Sequence, residues 1–306
     1  MRVPASTANV GAGFDCIGFA VDRWLTASVV ASEDSARGGD APELTMHRDG
    51  TLASLVLPPA DDAVVAGFSA ACKMRGRALP RRLDFKLHSD IPIGRGLGAS
   101  STALVAGAAL ANAALELGLD RQQLAELCSE VEGHPDNVAP TVFGGAVLGV
   151  PRTGEDSRRW VFAPIGVHRS LAFAFVVPSV IVETAAARAI LPREVPHRVA
   201  VQAAGKAAAL AHGLVTGDSA LLRIALDDVL HVPYRRHLVP AYTEVIGAAC
   251  AAGAFGATLS GSGSTVLAIA TQDVVAPVAQ AMQQAFAEHG MVAESFVQRT
   301  MLDRAS

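Results

Sequence analysis

A glycine-rich segment over residues 92–101 most constrains how this chain can fold. Gly94, Gly96 and Gly98 lie within five positions, and glycine adopts the positive φ angles that tight loops need. The alternating residues 83–88 before it predict a half-buried strand, and the Ala-, Leu- and Val-rich residues 101–117 after it predict a helix. A strand, a glycine-rich loop and a helix N-terminus in this order can bind anions through free amides. The alternative is an ordinary turn before a buried helix.

The composition excludes several classes of protein. With 306 residues, 51% hydrophobic and 18% charged, the chain is long enough for two domains and too apolar to be disordered. Its net charge of −4 gives no general attraction to nucleic acid or to anionic membranes. We find no signal peptide, membrane-spanning segment or CxxC pair, and therefore expect a cytoplasmic protein without a disulfide framework or zinc site.

Local signals predict an N-terminal half of mixed strands and helices. Asp120, with Gln123 three residues later, is typical of a capping box at a helix start. Asp49 and Gly50 predict the turn of a β-hairpin. We expect strands over residues 2–6, 16–31, 44–46, 52–57, 83–88 and 146–150, and helices over residues 61–75, 101–117 and 120–131. The charged and glycine-rich residues 32–42 predict a surface excursion.

A polar segment over residues 151–159 contains glycine and proline, and it predicts the boundary between two domains, residues 1–151 and residues 152–306. Beyond it, the pattern predicts strands over residues 171–177, 180–182, 257–259, 265–270 and 292–297, helices over residues 183–192, 197–212, 219–228, 240–252 and 277–289, and a loop over residues 231–236. This order approximates the split βαβ plan of ferredoxin-like domains.

Two further loops concentrate polar side chains. Residues 9–15 place Asn9 and Asp15 at the two ends of a glycine-bearing loop, which is either a plain hairpin or a site for a polar small molecule. The second loop carries Glu132, His134, Asp136 and Asn137. Glu132 could complete a Mg²⁺ shell with Ser100, because Mg²⁺ takes few protein oxygens besides nucleotide phosphates. The alternative is a helix end with solvated charges.

Together, these motifs resemble the GHMP small-molecule kinases, and among them the homoserine kinase family. Residues 4–15, PASTANVGAGFD, resemble a motif specific to homoserine kinases, and the loop over residues 92–101 resembles the phosphate loop of all GHMP kinases. Residues 260–265, SGSGST, resemble the third family motif. Residues 132–138, Thr184 with Arg188, and residues 233–235 also match. The six matches are in order and cover almost the full length.

The resemblance implies an α+β, two-domain GHMP kinase fold, with an N-terminal domain like ribosomal protein S5 domain 2 and a ferredoxin-like C-terminal domain. It implies ATP-dependent phosphorylation of the L-homoserine hydroxyl, in threonine biosynthesis, with Mg²⁺. A homodimer is common in the family. The residues implied to bind ATP are Pro92, Ile93, Gly94, Arg95, Gly96, Leu97, Gly98, Ala99, Ser100, Ser101 and Thr102.

The resemblance also implies roles at the acceptor side of the site. Ser100 and Glu132 would hold the metal, and Asp136 and Asn137 join them as candidate catalytic residues, with the role of Asp136 as a general base left open. The residues implied to bind the amino-acid substrate are Asn9, Asp15, His134, Asn137, Thr184, Arg188, Arg235 and Gly261.

Two positions depart from the commoner family motifs, with Ala99 in place of serine and Ser264 in place of proline. Neither change predicts loss of activity, because Ser100 remains. Two rival readings stay open. A kinase for mevalonate or a related alcohol would leave the pair of Asn9 and Asp15 unexplained, since it needs no ammonium site. A non-catalytic sensor would have no need of intact Ser100 and Glu132.

Overall fold

The computed structural model describes residues 1–32, 42–152 and 160–301, and ten strands of this part of the chain form two sheets. The first sheet has the order β3-β4-β2-β5-β6, with β1 paired to β2, and the second has the order β10-β7-β9-β8. The strands are β1 (Arg2–Ala8), β2 (Ile17–Ser32), β3 (Glu43–Gly50), β4 (Arg82–Ser89), β5 (Ala146–Pro151), β6 (Trp160–Ile165), β7 (Leu171–Pro178), β8 (Gly256–Leu259), β9 (Val266–Thr271) and β10 (Ala293–Gln298).

Ten α-helices pack against these sheets in the described ranges. Asp120 and Gln123 form the predicted capping box at the start of α3, and the side chain of Asp62 accepts the Val64 amide at the start of α1. The helices are α1 (Ala63–Met74), α2 (Ala99–Ala114), α3 (Arg121–Glu132), α4 (Val138–Phe143), α5 (Thr184–Ala189), α6 (His197–Thr216), α7 (Ser219–Leu226), α8 (Val232–Arg235), α9 (Tyr242–Ala251) and α10 (Val275–Glu288).

The two sheets share the larger of two apolar cores among the described residues. The largest group of buried apolar side chains includes Val3 and Phe85 from the first sheet and Leu267 from the second. Phe19 on β2 packs against Phe173 on β7, with ring centroids 5.5 Å apart. Since burying apolar surface is the main favourable term in folding, this shared core holds the two sheets together around the loops that connect them.

The predicted hairpin around Asp49 and Gly50 is wrong. β3 runs parallel to β4, and residues 52–54 form a turn and residues 55–57 are irregular, so no second strand follows. After Gly50, at φ 65°, the amide of Thr51 donates to the Ser89 carbonyl at 2.8 Å and its hydroxyl donates to the Ile91 carbonyl at 2.8 Å. These bonds turn the chain away from the sheet edge, where a returning strand would have paired.

Two shorter predictions also fail. Residues 180–182 form no strand, because this segment lies against the glycine-rich loop, where the Val182 amide donates to the Gly94 carbonyl at 3.0 Å. Residues 231–236 are not an open loop but contain α8. Its start is stabilised by the carboxylate of Asp228, which accepts the amides of Leu230, His231 and Val232.

The division of the chain at residues 151 and 152 stays a prediction. Residues 153–159 of the proposed boundary, and residues 33–41 of the predicted surface excursion, lie outside the described residues. β6 pairs with β5 in antiparallel register, so the first sheet continues to Ile165. All four cysteines are free. None of the helices in the described ranges combines the length and apolar character that crossing a bilayer requires.

Candidate active site

The glycine-rich loop turns its carbonyl groups into the protein. Four successive carbonyls accept hydrogen bonds from other segments: Gly94 from the Val182 amide at 3.0 Å, Arg95 from the Thr265 amide at 3.1 Å, Gly96 from the Ser260 hydroxyl at 2.6 Å and Leu97 from the Ser6 amide at 3.3 Å. A trans peptide points its C=O and the following N–H in opposite directions. The amides of residues 95–98 therefore point away from these donors, and Gly96, Leu97 and Gly98 line an open cavity.

Two of the loop glycines are required by space as well as by backbone angle. A Cβ on Gly96, at φ 76°, would lie 2.1 Å from the Ser260 carbonyl oxygen. A Cβ on Gly98, at φ 66°, would lie 2.2 Å from the Ser6 hydroxyl. Gly98 also directly precedes α2, whose first amides and helix dipole face the same side. The loop thus has the geometry of an anion cradle rather than that of an ordinary turn.

The cavity in front of the loop has a volume of about 170 Å³ and brings together residues from both halves of the chain. Most of the predicted site residues line it. The lining residues are Asn9, Ile93, Gly94, Gly96, Leu97, Gly98, Ala99, Ser100, Ser101, Glu132, His134, Asn137, Thr184, Arg188, Arg235, Gly261 and Ser262.

Five of the predicted residues do not line this cavity: Pro92, Arg95, Thr102, Asp15 and Asp136. Arg95 donates to the Pro178 carbonyl, and the buried Thr102 hydroxyl donates to the Gly98 carbonyl at 2.9 Å. These two side chains therefore support the loop from behind. Asp15 contacts Arg188, and Asp136 contacts His134, so each touches a residue that lines the cavity.

The predicted metal ligands, Ser100 and Glu132, face the same cavity, but a neighbouring serine makes the direct contact. The buried Ser101 hydroxyl donates to Glu132 Oε1 at 2.8 Å, whereas Ser100 is exposed. This contact leaves the second carboxylate oxygen of Glu132 and the Ser100 hydroxyl for a cation. Two such oxygens beside an anion cradle fit Mg²⁺, which binds few protein oxygens together with phosphates and water.

A second group of potential metal ligands lies nearby. Ligand atoms of Asp15, His134 and Asp136 lie within 4.8 Å of one another. Both terminal nitrogens of Arg188 bind the Asp15 carboxylate, at 2.8 and 3.2 Å. Because a guanidinium at this position repels a metal ion, this group is less suited to a cation than the oxygens of Ser100 and Glu132, whose role as metal ligands stays a prediction.

Asp136 lies behind His134. Its Oδ1 is 2.8 Å from His134 Nδ1 and also accepts the Asn137 amide at 3.1 Å. Burial lowers the pKa of His134, but the hydrogen bond and the charge of Asp136 outweigh it, so this pKa is raised overall. Asp136 is 1% exposed, and its Oδ2 has no hydrogen-bond partner among the described residues. The carboxylate therefore orients His134 and adds negative charge beneath the cavity.

Asn9 and Asp15 fold into one interlocked loop. Both have positive φ angles, 57° and 53°. The Asn9 side-chain oxygen accepts the Asp15 amide at 3.0 Å, and its nitrogen donates to the Gly261 carbonyl at 3.2 Å. Such angles and a side chain bridging to another half of the chain are not those of a plain hairpin. The alternative of a ligand-binding loop is thus favoured.

Arg235 is the most unusual charge in the site. Its side chain is 1% exposed, Nε donates to the Ala187 carbonyl at 2.9 Å, and Nη1 has no partner in the described part of the chain. Burial first, and the charge of Arg188 second, lower its pKa to about 10, so it is still a cation at neutral pH. A buried cation with an unpartnered donor beside a cavity is suited to an anionic ligand.

Asn137 and Thr184 complete the polar wall. The Ser6 hydroxyl donates to the side-chain oxygen of Asn137 at 3.0 Å, which leaves the amide nitrogen of Asn137 as a donor. The hydroxyls of Thr184 and Ser262 lie 3.4 Å apart across the cavity wall. These groups offer hydrogen bonds to a small polar ligand.

An apolar cavity of about 240 Å³ adjoins the polar one, and sequence reasoning missed it. The sequence predicts a strand over residues 52–57, whereas Leu52, Leu55 and Leu57, which are three and then two residues apart, line this cavity. The two cavities share Ile93, Ala99 and Ser100. The apolar cavity is lined by Leu25, Leu52, Leu55, Leu57, Asp61, Asp62, Ala63, Val64, Leu87, Ser89, Ile91, Ile93, Ala99, Ser100 and Ala103.

Comparisons with known proteins agree with this geometry. The family model of the GHMP kinases N terminal domain matches residues 64–145, and that of the GHMP kinases C terminal matches residues 208–288. A homoserine kinase of Picosynechococcus is 34% identical over 97% of this chain and 95% of its own length. One of Nostoc punctiforme is 36% identical over 96% of this chain and 93% of its own length.

Two solved structures have similar folds over nearly the whole chain. The crystal structure of homoserine kinase from Cytophaga hutchinsonii has a TM-score of 0.83 at 28% identity and covers 99% of this chain and 94% of that chain. The L. major mevalonate kinase structure, at 16% identity and a TM-score of 0.68, covers 100% of this chain and 96% of that chain and shares the fold. The predicted α+β, two-domain GHMP kinase fold is confirmed. Because curated relatives above 30% identity match nearly the full chain, the protein belongs to the homoserine kinase family of the GHMP kinases.

Proposed function

We propose that the protein transfers the γ-phosphoryl group of ATP to the side-chain hydroxyl of L-homoserine, giving ADP, O-phospho-L-homoserine and the proton released from the hydroxyl. One observation carries this proposal: the outward-facing amides of the glycine-rich loop and the unpartnered guanidinium of Arg235 share one cavity. The first suits phosphates, and the second suits the carboxylate of an amino acid. A kinase for amino acids needs both beside each other.

The nucleotide would occupy both cavities. Its base fits the apolar cavity, and its phosphates reach the amides of residues 95–98 past the shared residues Ile93, Ala99 and Ser100. Amides that are already oriented stabilise phosphate charge without reorganising during the reaction. The Ser100 hydroxyl and the free oxygen of Glu132 would hold Mg²⁺, which neutralises phosphate charge when bound.

The amino-acid substrate would lie between Arg235 and the loop. Arg235 would bind its carboxylate, and Asp15, held by Asn9 and paired with Arg188 just outside the cavity lining, would supply negative charge near its ammonium group. His134 and Asn137 present a ring nitrogen and an amide to the hydroxyl that is phosphorylated. Positioning of this kind is the main requirement of phosphoryl transfer, in which little covalent chemistry falls to the protein.

Asp136 acts through His134 in this scheme. Its Oδ1 faces His134 Nδ1 at 2.8 Å, and the residue does not line the cavity. Asp136 therefore fixes the ring orientation, while the second ring nitrogen faces Glu132 Oε1 at 4.0 Å and the cavity. We propose a cytoplasmic reaction, which agrees with four free cysteines, and the homodimer stays a prediction.

The test is a coupled assay of ADP release with L-homoserine, L-threonine, L-serine and mevalonate as acceptors. We expect L-homoserine to have a kcat/KM at least tenfold above the others, together with the appearance of O-phospho-L-homoserine by mass. Preference for mevalonate would assign the cavity to a different alcohol. ATP binding without turnover of any acceptor would identify a non-catalytic member of the family.

A further inference from the structure

The ring of Phe14 contacts two side chains of the segment that carries α8. It stacks on His231, with centroids 5.0 Å apart and planes at 20°, and the guanidinium carbon of Arg235 lies 5.3 Å from its centroid. Phe14 is half-buried and does not line the polar cavity, and it directly precedes Asp15. It therefore touches the substrate site only through other residues.

Arg235 has few other anchors. One hydrogen bond from Nε to the Ala187 carbonyl fixes a side chain with several rotatable bonds, and Nη1 is unpartnered in the described ranges. The bond at Nε leaves the orientation of the terminal nitrogens to packing contacts, while bidentate recognition of a carboxylate requires that orientation to be set. The face of an aromatic ring attracts a guanidinium, most strongly when water is excluded, as it is at 1% exposure.

The ring of Phe14 is itself held from behind. His231 is fully buried, and its Nε2 donates to the Gly11 carbonyl at 3.3 Å. Burial lowers the pKa of His231 in spite of the nearby Asp228, so the imidazole is neutral and does not compete with Arg235 for the ring. Asp228 fixes the chain at this point through the three amides at the start of α8.

We propose that Phe14 is a positioning residue for the acceptor substrate, because its ring face sets the guanidinium of Arg235 in the orientation that binds the substrate carboxylate. The inference rests on the proposed function, in which Arg235 takes that carboxylate. Beyond the proposed function, this means that the loop over residues 9–15 orients the acceptor site through the ring of Phe14 as well as through Asn9 and Asp15.

The experiment compares Phe14→Leu with Phe14→Tyr, which keeps the ring face, by steady-state kinetics in both substrates. Phe296→Leu is the matched control, because the guanidinium carbon of Arg23 lies 4.0 Å from the Phe296 ring, away from the cavity. We expect Phe14→Leu to raise the KM for L-homoserine about 10- to 30-fold. The KM for ATP and kcat stay within about twofold of wild type, Phe14→Tyr stays within about threefold in all constants, and Phe296→Leu stays within about twofold.

A double-mutant cycle separates positioning from general support of the fold. If Phe14 acts through Arg235, Phe14→Leu causes no further loss in an Arg235→Leu background. The proposal is overturned by an unchanged KM for L-homoserine in Phe14→Leu, by an equal rise in the KM for ATP, or by full additivity in the cycle. Should Phe14→Leu not fold, Phe14→Met carries the same expectation. A wild-type protein that does not phosphorylate L-homoserine refutes the proposed function, and this inference with it.

Discussion

Replacing Arg235 with leucine should weaken the binding of L-homoserine while hardly changing the stability of the fold. Removing one member of a buried charge pair costs about 2–5 kcal/mol of binding free energy. At about 1.4 kcal/mol per factor of ten, this free energy corresponds to an increase in the KM for L-homoserine of between about 30-fold and several thousand-fold. The KM for ATP should stay within a few-fold, because Arg235 lies outside the glycine-rich loop that we propose for the phosphates.

The same substitution should hardly change the stability of the ligand-free protein. Burial lowers the pKa of Arg235 from 12.5 to about 10, and at about 1.4 kcal/mol per pKa unit the buried cation destabilises the fold by about 3 kcal/mol at every pH below 10. Leucine removes this penalty but also removes the bond to the Ala187 carbonyl, which costs about 1–3 kcal/mol. Because the two effects oppose each other, we expect Tm to change by less than about 5 °C.

The assay is steady-state kinetics in both substrates with a thermal melt of each variant. Arg223→Leu, at an exposed arginine on α7, is the control for loss of a positive charge and should leave both KM values unchanged. Arg235→Lys should recover only part of the affinity, since an ammonium keeps the charge and loses the planar fork. A rise in the KM for ATP, or an unchanged KM for L-homoserine, would refute the assignment of Arg235 to the substrate carboxylate.

Three other substitutions test the remaining parts of the site. Gly98→Val should raise the KM for ATP at least tenfold or abolish activity, since its Cβ would lie 2.2 Å from the Ser6 hydroxyl at φ 66°; normal ATP kinetics would identify an ordinary turn. Glu132→Ala should lower kcat by about 100-fold or more with Tm close to wild type, and normal turnover would remove Glu132 from the metal site. Arg188→Leu should raise the KM for L-homoserine, because Arg188 lines the cavity and holds the Asp15 carboxylate in place through two hydrogen bonds, and a change confined to ATP would contradict this.

Much of the fold was predictable from local patterns. The capping box of Asp120 and Gln123, the alternation in β4 and the glycine-rich loop before α2 are encoded by residues close together in sequence, and each is present. The hairpin around Gly50 failed because the competing partner of Thr51 is Ser89, far along the chain. A turn signal gives no information on such distant hydrogen bonds.

In the candidate site, too, the contacts between side chains that are distant in sequence could not be predicted. Family motifs named most of the residues that line the cavity, yet the choice between Ser100 and Ser101 as the partner of Glu132 depends on the rotation of α2. The pairing of Asp15 with Arg188, and of Phe14 with Arg235, joins residues more than 170 positions apart. Nothing in the spacing of these residues indicates which arginine is already neutralised and which still needs an anion.

The hydrogen bonds to the glycine-rich loop determine which parts of this enzyme can be exchanged between relatives. Of the four groups that hold the loop carbonyls, only Ser6 precedes the loop in sequence, while Val182, Ser260 and Thr265 follow it by more than eighty residues. The orientation of the loop amides is therefore set largely by the C-terminal half. Chimeras that replace this half should change the affinity for nucleotide, even when every residue that touches the phosphates is kept.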